Sequence, residues 1–84
     1  MPTALRMGPY RLYFYSYDCK ELRHMHVDRD DLSAKLWLDP DVRVAENFGY
    51  GRRELRTIER IAREHVELLR HEWDTFCRDS AGAP

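Results

Sequence analysis

The chain has 84 residues, 43% of them hydrophobic and 35% charged, a balance too apolar for a disordered segment and too charged for a membrane-spanning one. A globule of this size hides only about 60% of the surface its unfolded chain would expose, which leaves room for one shallow core in one domain. Fourteen basic residues nearly cancel fifteen acidic ones, for a net charge of -1, so bulk charge gives no argument for nucleic-acid binding and any such site must be local.

The first nine residues carry Pro2, Gly8 and Pro9 and read as a lead-in, the Gly8-Pro9 pair marking a turn before the first strand. Residues 10–17 alternate, with Tyr10, Leu12, Phe14 and Ser16 pointing one way and Arg11, Tyr13, Tyr15 and Tyr17 the other. That is a strand with an aromatic second face. Residues 18–23 are a polar connection. Residues 24–29 alternate again, with Met25 and Val27 opposed to His24, His26 and Asp28. After the Asp30-Asp31 turn, residues 33–38 set Ala34, Leu36 and Leu38 against Lys35 and Trp37, so the two runs form a hairpin. Asp39-Pro40-Asp41 breaks the chain, residues 42–45 add a short further strand at an edge, and residues 47–51 form a loop.

From Arg52 to Cys77 apolar residues recur at three-and-four spacing through Leu55, Ile58, Ile61, Ala62, Val66, Leu69, Trp73 and Phe76, which predicts one continuous helix. At 1.5 Å per residue such a helix is roughly 38 Å long, longer than a small sheet is wide, so its end should project. The expected fold is therefore α+β: an antiparallel β-meander of three to four strands with one long C-terminal amphipathic helix packed on one face. Residues 1–78 form the single domain and residues 79–84 a flexible tail. Leu12, Phe14, Met25, Val27, Leu36 and Leu38 meet the helix. The histidines, tyrosines and Trp37 then lie on the opposite face, where so many aromatics imply a binding partner.

The N-terminus lacks the basic-then-apolar layout of a secretory signal, and no apolar run approaches the ~20 residues needed to cross a bilayer. A cytoplasmic chain without membrane association is expected. Cys19 and Cys77 stand at no metal-ligand spacing and are too few for a disulfide framework, so two reduced thiols are expected rather than a bridge.

His24-Met25-His26-Val27-Asp28 puts two imidazoles and a carboxylate on one strand face, with neighbouring side chains about 7 Å apart. Two imidazoles so placed can share a divalent metal if a third ligand joins them, the candidates being His65, His71, Cys19 and Asp28. The same spacing suits two solvent-exposed, hydrogen-bonding histidines, and no metal or other cofactor is assigned. The pair can also do acid-base work, as RNA cleavage requires one group to take the 2′-hydroxyl proton and another to protonate the leaving oxygen. On that reading His24 and His26 are the catalytic residues, and Arg11, Tyr13, Tyr15, Arg29 and Trp37 bind the substrate. An ordinary polar sheet face is the plain alternative, since His, Tyr and Arg are common there. On the helix, Arg52, Arg53, Arg56, Arg60 and Arg63 make a basic ridge, but the interleaved Glu54, Glu59, Glu64 and Glu67 favour a solvated, salt-bridged face. No phosphate-cradling glycine loop, serine elbow or paired-cysteine zinc motif is present.

The order Leu5-Arg6-Met7-Gly8, Tyr10-Arg11, Phe14-Tyr15-Ser16, His24-Met25-His26-Val27, Ala34-Lys35, Trp37-Leu38-Asp39-Pro40, Ala45-Glu46-Asn47, Glu54-Leu55 and Trp73 resembles a family of short prokaryotic proteins of unknown function. In that family the histidine pair usually follows proline and reads His-Val-His-Val, whereas here Leu22-Arg23 precedes it and Met25 replaces the first valine. Gly51 stands where relatives often have a serine-like helix cap. Such proteins are often encoded beside a second small protein and suspected of forming toxin–antitoxin modules. The resemblance implies a toxin-like component with a small cognate antitoxin-like partner; the polar aromatic face adds action on RNA or translation as the expected activity, or pairing with a second copy as a homodimer. The competing expectation is a non-enzymatic interaction module that docks a partner through Trp37, Tyr13 and Tyr15, or through the projecting helix end.

Overall fold

A computed structural model describes residues 3–81, with side chains through Arg78. The chain is α+β, a five-stranded antiparallel meander followed by two helices. Strand β1 (Thr3–Met7) turns at Gly8 and Pro9 into β2 (Tyr10–Tyr13). Gly8 adopts φ 57°, a left-handed conformation that costs glycine nothing. Strands β3 (His24–Arg29), β4 (Leu32–Trp37) and β5 (Arg43–Phe48) complete the sheet in sequence order.

Three details of the sheet differ from expectation. The lead-in contains a strand, because the tight Gly8-Pro9 hairpin lays residues 3–7 along β2 with Leu5 opposite Leu12 and Met7 opposite Tyr10. Its ladder is irregular between Thr3 and Leu5, which is why its alternation is faint. The expected strand over residues 10–17 pairs only as far as Tyr13, beyond which Phe14 is fully buried against the Trp73 and Phe76 rings. Ser16–Lys20 then forms a short 3-10 turn. The last strand is longer than expected and pairs with β4 along its length, making the sheet five strands wide rather than three or four.

The helix is also two helices, α1 (Arg52–Glu64) and α2 (Val66–Ala81), separated by His65 at φ -117° and ψ 20°. The apolar spacing runs through the break, so the sequence reads as continuous. Instead of projecting as a rod, the broken helix packs α1 against β5 and α2 against β1 and the 3-10 turn. Helix α2 continues to Ala81, so part of the expected tail is helical, and residues 82–84 lie outside the described residues.

The inner face follows the alternation. Leu12, Phe14, Met25, Val27, Ala34, Leu36 and Leu38 form one core with Ile58, Ala62, Leu69 and Trp73 from the helices. Full burial of such a side chain stabilises by about 1.5–3 kcal/mol. At one end of this layer the Arg29 guanidinium chelates Glu54, Nη2 to Oε1 at 2.8 Å, and the Tyr10 hydroxyl donates to Glu54 Oε2 at 2.7 Å. Glu54 lies in the first turn of α1, where a carboxylate also meets the positive end of the helix dipole.

Cys19 and Cys77 are joined in a disulfide with Cα atoms 5.5 Å apart, correcting the expectation of two free thiols. Spacing along the chain could not show this, because the bridge exists only once α2 has returned across the sheet to the 3-10 turn. It closes a span of 58 residues, for which chain entropy gives a stabilisation of about 4 kcal/mol. Urea unfolding should therefore show Cys77→Ser, or the reduced chain, with a markedly lower midpoint than the oxidised chain. An unchanged midpoint would mean that the bridge does not form in solution.

Bonds from Arg29 and Tyr10 hold the Glu54 carboxyl below its ordinary value of 4.5. A carboxyl whose folded pKa is depressed stabilises the fold above its unfolded value, and that contribution disappears as pH falls through the folded value. Glu54→Gln should accordingly be less stable than the wild type at neutral pH, with the gap closing as the pH falls below the carboxyl's ordinary 4.5. Paired urea titrations at the two pH values measure it.

Candidate functional site

Directly opposed residues on antiparallel strands share a face, so the ladder registers fix what the outer face displays. One row runs Thr3, Tyr13, His26, Lys35 and Glu46, and the next runs Arg6, Arg11, Asp28, Ser33 and Phe48. His24, Trp37 and Arg43 make a third. The period-two reading thus places His24, His26, Arg11, Tyr13 and Trp37 together on the face away from the helices. Arg29 is on the other side, bonded to Glu54 across the inner layer, and is not part of this site.

The outer face is not bare at its histidine end. The 3-10 turn folds over it, held at one end by the disulfide to α2, and Trp73 of α2 packs with its ring centroid 5.0 Å from His24. Trp37 closes the opposite flank at 5.7 Å. His24 is left with 0% exposure. It has no surface at which a substrate can touch it, so of the two expected catalytic histidines only His26, whose side chain is 20% exposed, is accessible.

Between the imidazoles stands Asp18, 3% exposed and carried by the 3-10 turn. Its Oδ2 accepts the Tyr15 amide hydrogen at 2.9 Å and lies 3.0 Å from His26 Nε2. It also lies 3.3 Å from His24 Nε2, out of line for a hydrogen bond. Burial pushes the Asp18 carboxyl up, but the Tyr15 amide, the His26 hydrogen bond and the two imidazoles together outweigh it and leave it below its ordinary value. Asp18 is an anion at neutral pH.

The hydrogen bonds fix the tautomer of His24. Its Nδ1 lies 2.8 Å from the Leu22 carbonyl, which can only accept, so Nδ1 carries the proton. In the neutral ring Nε2 is then a lone-pair donor, fully buried, 3.3 Å from Asp18 Oδ2 and without a hydrogen-bond partner. Arg23 holds the strand entry in place: its guanidinium donates to both Asp39 oxygens at 2.7 and 3.0 Å and to Asp74 at 2.8 Å.

Around His26 the tyrosines form a wall. Tyr13 stacks on it at 5.3 Å, Tyr15 meets it at 5.1 Å, and Tyr17 stacks on Tyr15 at 5.1 Å. The Arg11 guanidinium lies 4.6 Å over the Tyr13 ring. The Tyr13 hydroxyl donates to Asp28 at 2.9 Å, and burial together with hydrogen bonds to Tyr15 and Asp28 raises its pKa far above the ordinary value. It orients its neighbours and stays protonated. Lys35, beside His26 in the register, reaches over the Trp37 ring at 4.6 Å and pairs with Glu21 at 3.1 Å.

Of the third ligands named from sequence, Cys19 is in the disulfide, Asp28 holds Tyr13, and His65 Nδ1 sits 2.9 Å from Ile61 O within the helix, while His71 is exposed on α2. Asp18 is the carboxylate that joins the pair, each of the three residues offering a donor atom within 4.8 Å of the others. Its place in a connecting segment hides it from strand periodicity. Its one local signal is the aspartate three residues after Tyr15, where it caps the Tyr15 amide. On the helices, Arg63 pairs with Glu59 and Arg60 with Glu64, as the solvated reading of the ridge requires.

Asp18→Ala leaves the Tyr15 amide and the His26 ring without their acceptor and should lower stability by about 1–3 kcal/mol, with displaced His26 ring resonances in proton NMR. Arg29→Ala should destabilise the chain but leave those resonances in place. Movement of the His26 signals in Arg29→Ala would contradict the two-face assignment.

Comparison with curated proteins and with solved structures returns no match. The sequence profile described as "Domain of unknown function (DUF4160)" matches residues 10–74, about three quarters of the chain, a span that holds Asp18, His24, His26 and Trp73 but stops short of Cys77. With β2 through most of α2 inside that span, the chain belongs to the DUF4160 family.

Proposed function

We propose that this chain is the toxin-like component of a two-protein prokaryotic module and acts on RNA through its outer sheet face. The observation that carries the reading is His26, an accessible imidazole hydrogen-bonded to a buried carboxylate and walled by tyrosines on a face that also presents Arg6, Arg11, Lys35 and Arg43. Cations interleaved with aromatics suit a single-stranded nucleic acid, whose phosphates need charge and whose unstacked bases need rings. Tyr17 and Phe48, 67% and 60% exposed, are the rings free to stack.

In this reading the His26 ring nitrogen not engaged by Asp18 takes the 2′-hydroxyl proton, and Asp18 stabilises the imidazolium that results. The 2′-oxygen then closes on phosphorus and the 5′-oxygen leaves, protonated from solvent. The Tyr15 amide holds Asp18 in place, and His24 lies behind it, closed off from substrate. We place the action in the cytoplasm, with a small antitoxin-like protein as the cognate partner. Thiol pools there would open the Cys19–Cys77 bridge, so the oxidised and reduced chains both belong in the assay.

Phe48 on the edge strand and Leu22, 69% exposed, favour a second reading as a docking module for that partner or for a second copy. Induced expression in a bacterial host separates the two. The first reading expects growth arrest and cleaved RNA from the wild type, with cleavage reduced about 10²–10⁴-fold in His26→Ala. A folded His26→Ala that arrests growth equally overturns the assignment of His26. Absence of arrest from either, with partner binding lost in Phe48→Ala, favours the docking module.

A further inference from the structure

We infer that Asp18, His24 and His26 form a binding site for one divalent first-row transition ion, of which zinc is the best match. The inference is independent of any RNA substrate.

The first observation is spacing. Ligands about 2.0–2.2 Å from a shared zinc lie roughly 3.0–3.5 Å from one another in tetrahedral or octahedral arrangements. Asp18 Oδ2 stands 3.3 Å from His24 Nε2 and 3.0 Å from His26 Nε2. Two edges of a coordination polyhedron are therefore present without movement, and the three groups each offer an atom within 4.8 Å of the others.

The second is the unpartnered nitrogen. His24 Nε2 is buried with no hydrogen-bond partner, while Nδ1 of the same ring gives its proton to the Leu22 carbonyl. A buried lone pair without a donor is costly. An imidazole whose far nitrogen is fixed by a backbone carbonyl is also the arrangement metal-ligating histidines use, since that bond sets the tautomer and aims the ring. The carbonyl bond does for His24 what a second shell does in a metal site.

The third is charge. The Asp18 carboxylate is 3% exposed, with one backbone amide and one imidazole as its hydrogen-bond partners and no lysine or arginine paired with it among the described residues. A divalent cation offsets the carboxylate and takes the place of the proton that His26 Nε2 donates to Asp18, that proton moving through solvent to Nδ1 so that the ring stays neutral. Two nitrogens and one oxygen favour zinc, cobalt or nickel over magnesium or calcium, which take oxygen ligands. Because His24 and Asp18 are closed off and His26 is part-exposed, a fourth ligand enters along the His26 flank. A water there has its pKa lowered by the ion and becomes the group that can lose a proton.

The test uses the full chain without a histidine tag, in its oxidised form, stripped with chelator and dialysed. Titration with Zn²⁺ in a calorimeter and with Co²⁺ followed by visible absorption should both saturate at one ion per chain. Zn²⁺ should also raise the unfolding temperature. His26→Ala, which changes a part-exposed ligand, should fold and bind each ion more than about 100-fold more weakly. Asp18→Asn keeps the shape of the side chain and should weaken binding likewise. A wild type that takes up less than a tenth of an equivalent overturns the inference. So does a folded His26→Ala or Asp18→Asn that binds as tightly as the wild type. Growth arrest plays no part in the readout, so a silent toxin assay leaves the metal site standing, and a metal-free wild type leaves the toxin reading standing.

Discussion

The indole of Trp73 holds the two halves of the molecule together. It is 4% exposed and touches Phe14 on the inner side, ring centroids 5.1 Å apart, and His24 on the outer side at 5.0 Å. Two helices suffice to cover one face of a five-stranded sheet, and a chain of this length has little left for the other. Trp73 solves the problem at one end: it lets α2 reach past the core and meet the 3-10 turn that roofs the histidines. The exclusion of water from His24, the burial of Asp18 and the cover of the site all follow from that reach, which the Cys19–Cys77 bridge then fastens.

This arrangement divides the molecule's chemistry by side. On the inner face the charged groups serve cohesion, with Arg29 and Tyr10 tying Glu54 at the start of α1. On the outer face the polar groups are arranged around a buried anion. A carboxylate taken out of water costs several kcal/mol unless it is compensated. Asp18 has a backbone amide and one imidazole hydrogen bond in compensation. Such an expensive group, set between two rings of which one keeps an idle lone pair, is harder to explain as cohesion than as a site.

Much of the fold is legible because it depends on local periodicity. Met25 and Val27 against His24 and His26, and Ala34 and Leu36 against Lys35 and Trp37, sort themselves by the pleat alone. What escapes sequence reasoning depends on contacts between distant segments. The strand over residues 3–7 forms because β2 offers it an edge, and the break at His65 comes where the helix passes from β5 toward β1. Asp18 and Cys77 gain their meaning only when α2 and the 3-10 turn meet. Arg29 is a different case: strict alternation assigns it to the Met25 face, where it bonds Glu54, although it stands beside the histidine run in sequence. Of the site, the histidine pair and its aromatic wall could be read from the chain; the carboxylate between them could not.

The disulfide also makes the chain a tadpole in the mechanical sense. With Cys19 joined to Cys77, every residue between them lies in a covalently closed ring. A motor that pulls on the chain from outside the ring meets a doubled strand when it reaches either cysteine, because the ring enters a narrow pore as two parallel chains. The oxidised protein thus resists threading by energy-dependent proteases in a way that its thermodynamic stability does not measure. Reduction turns it into an ordinary linear substrate.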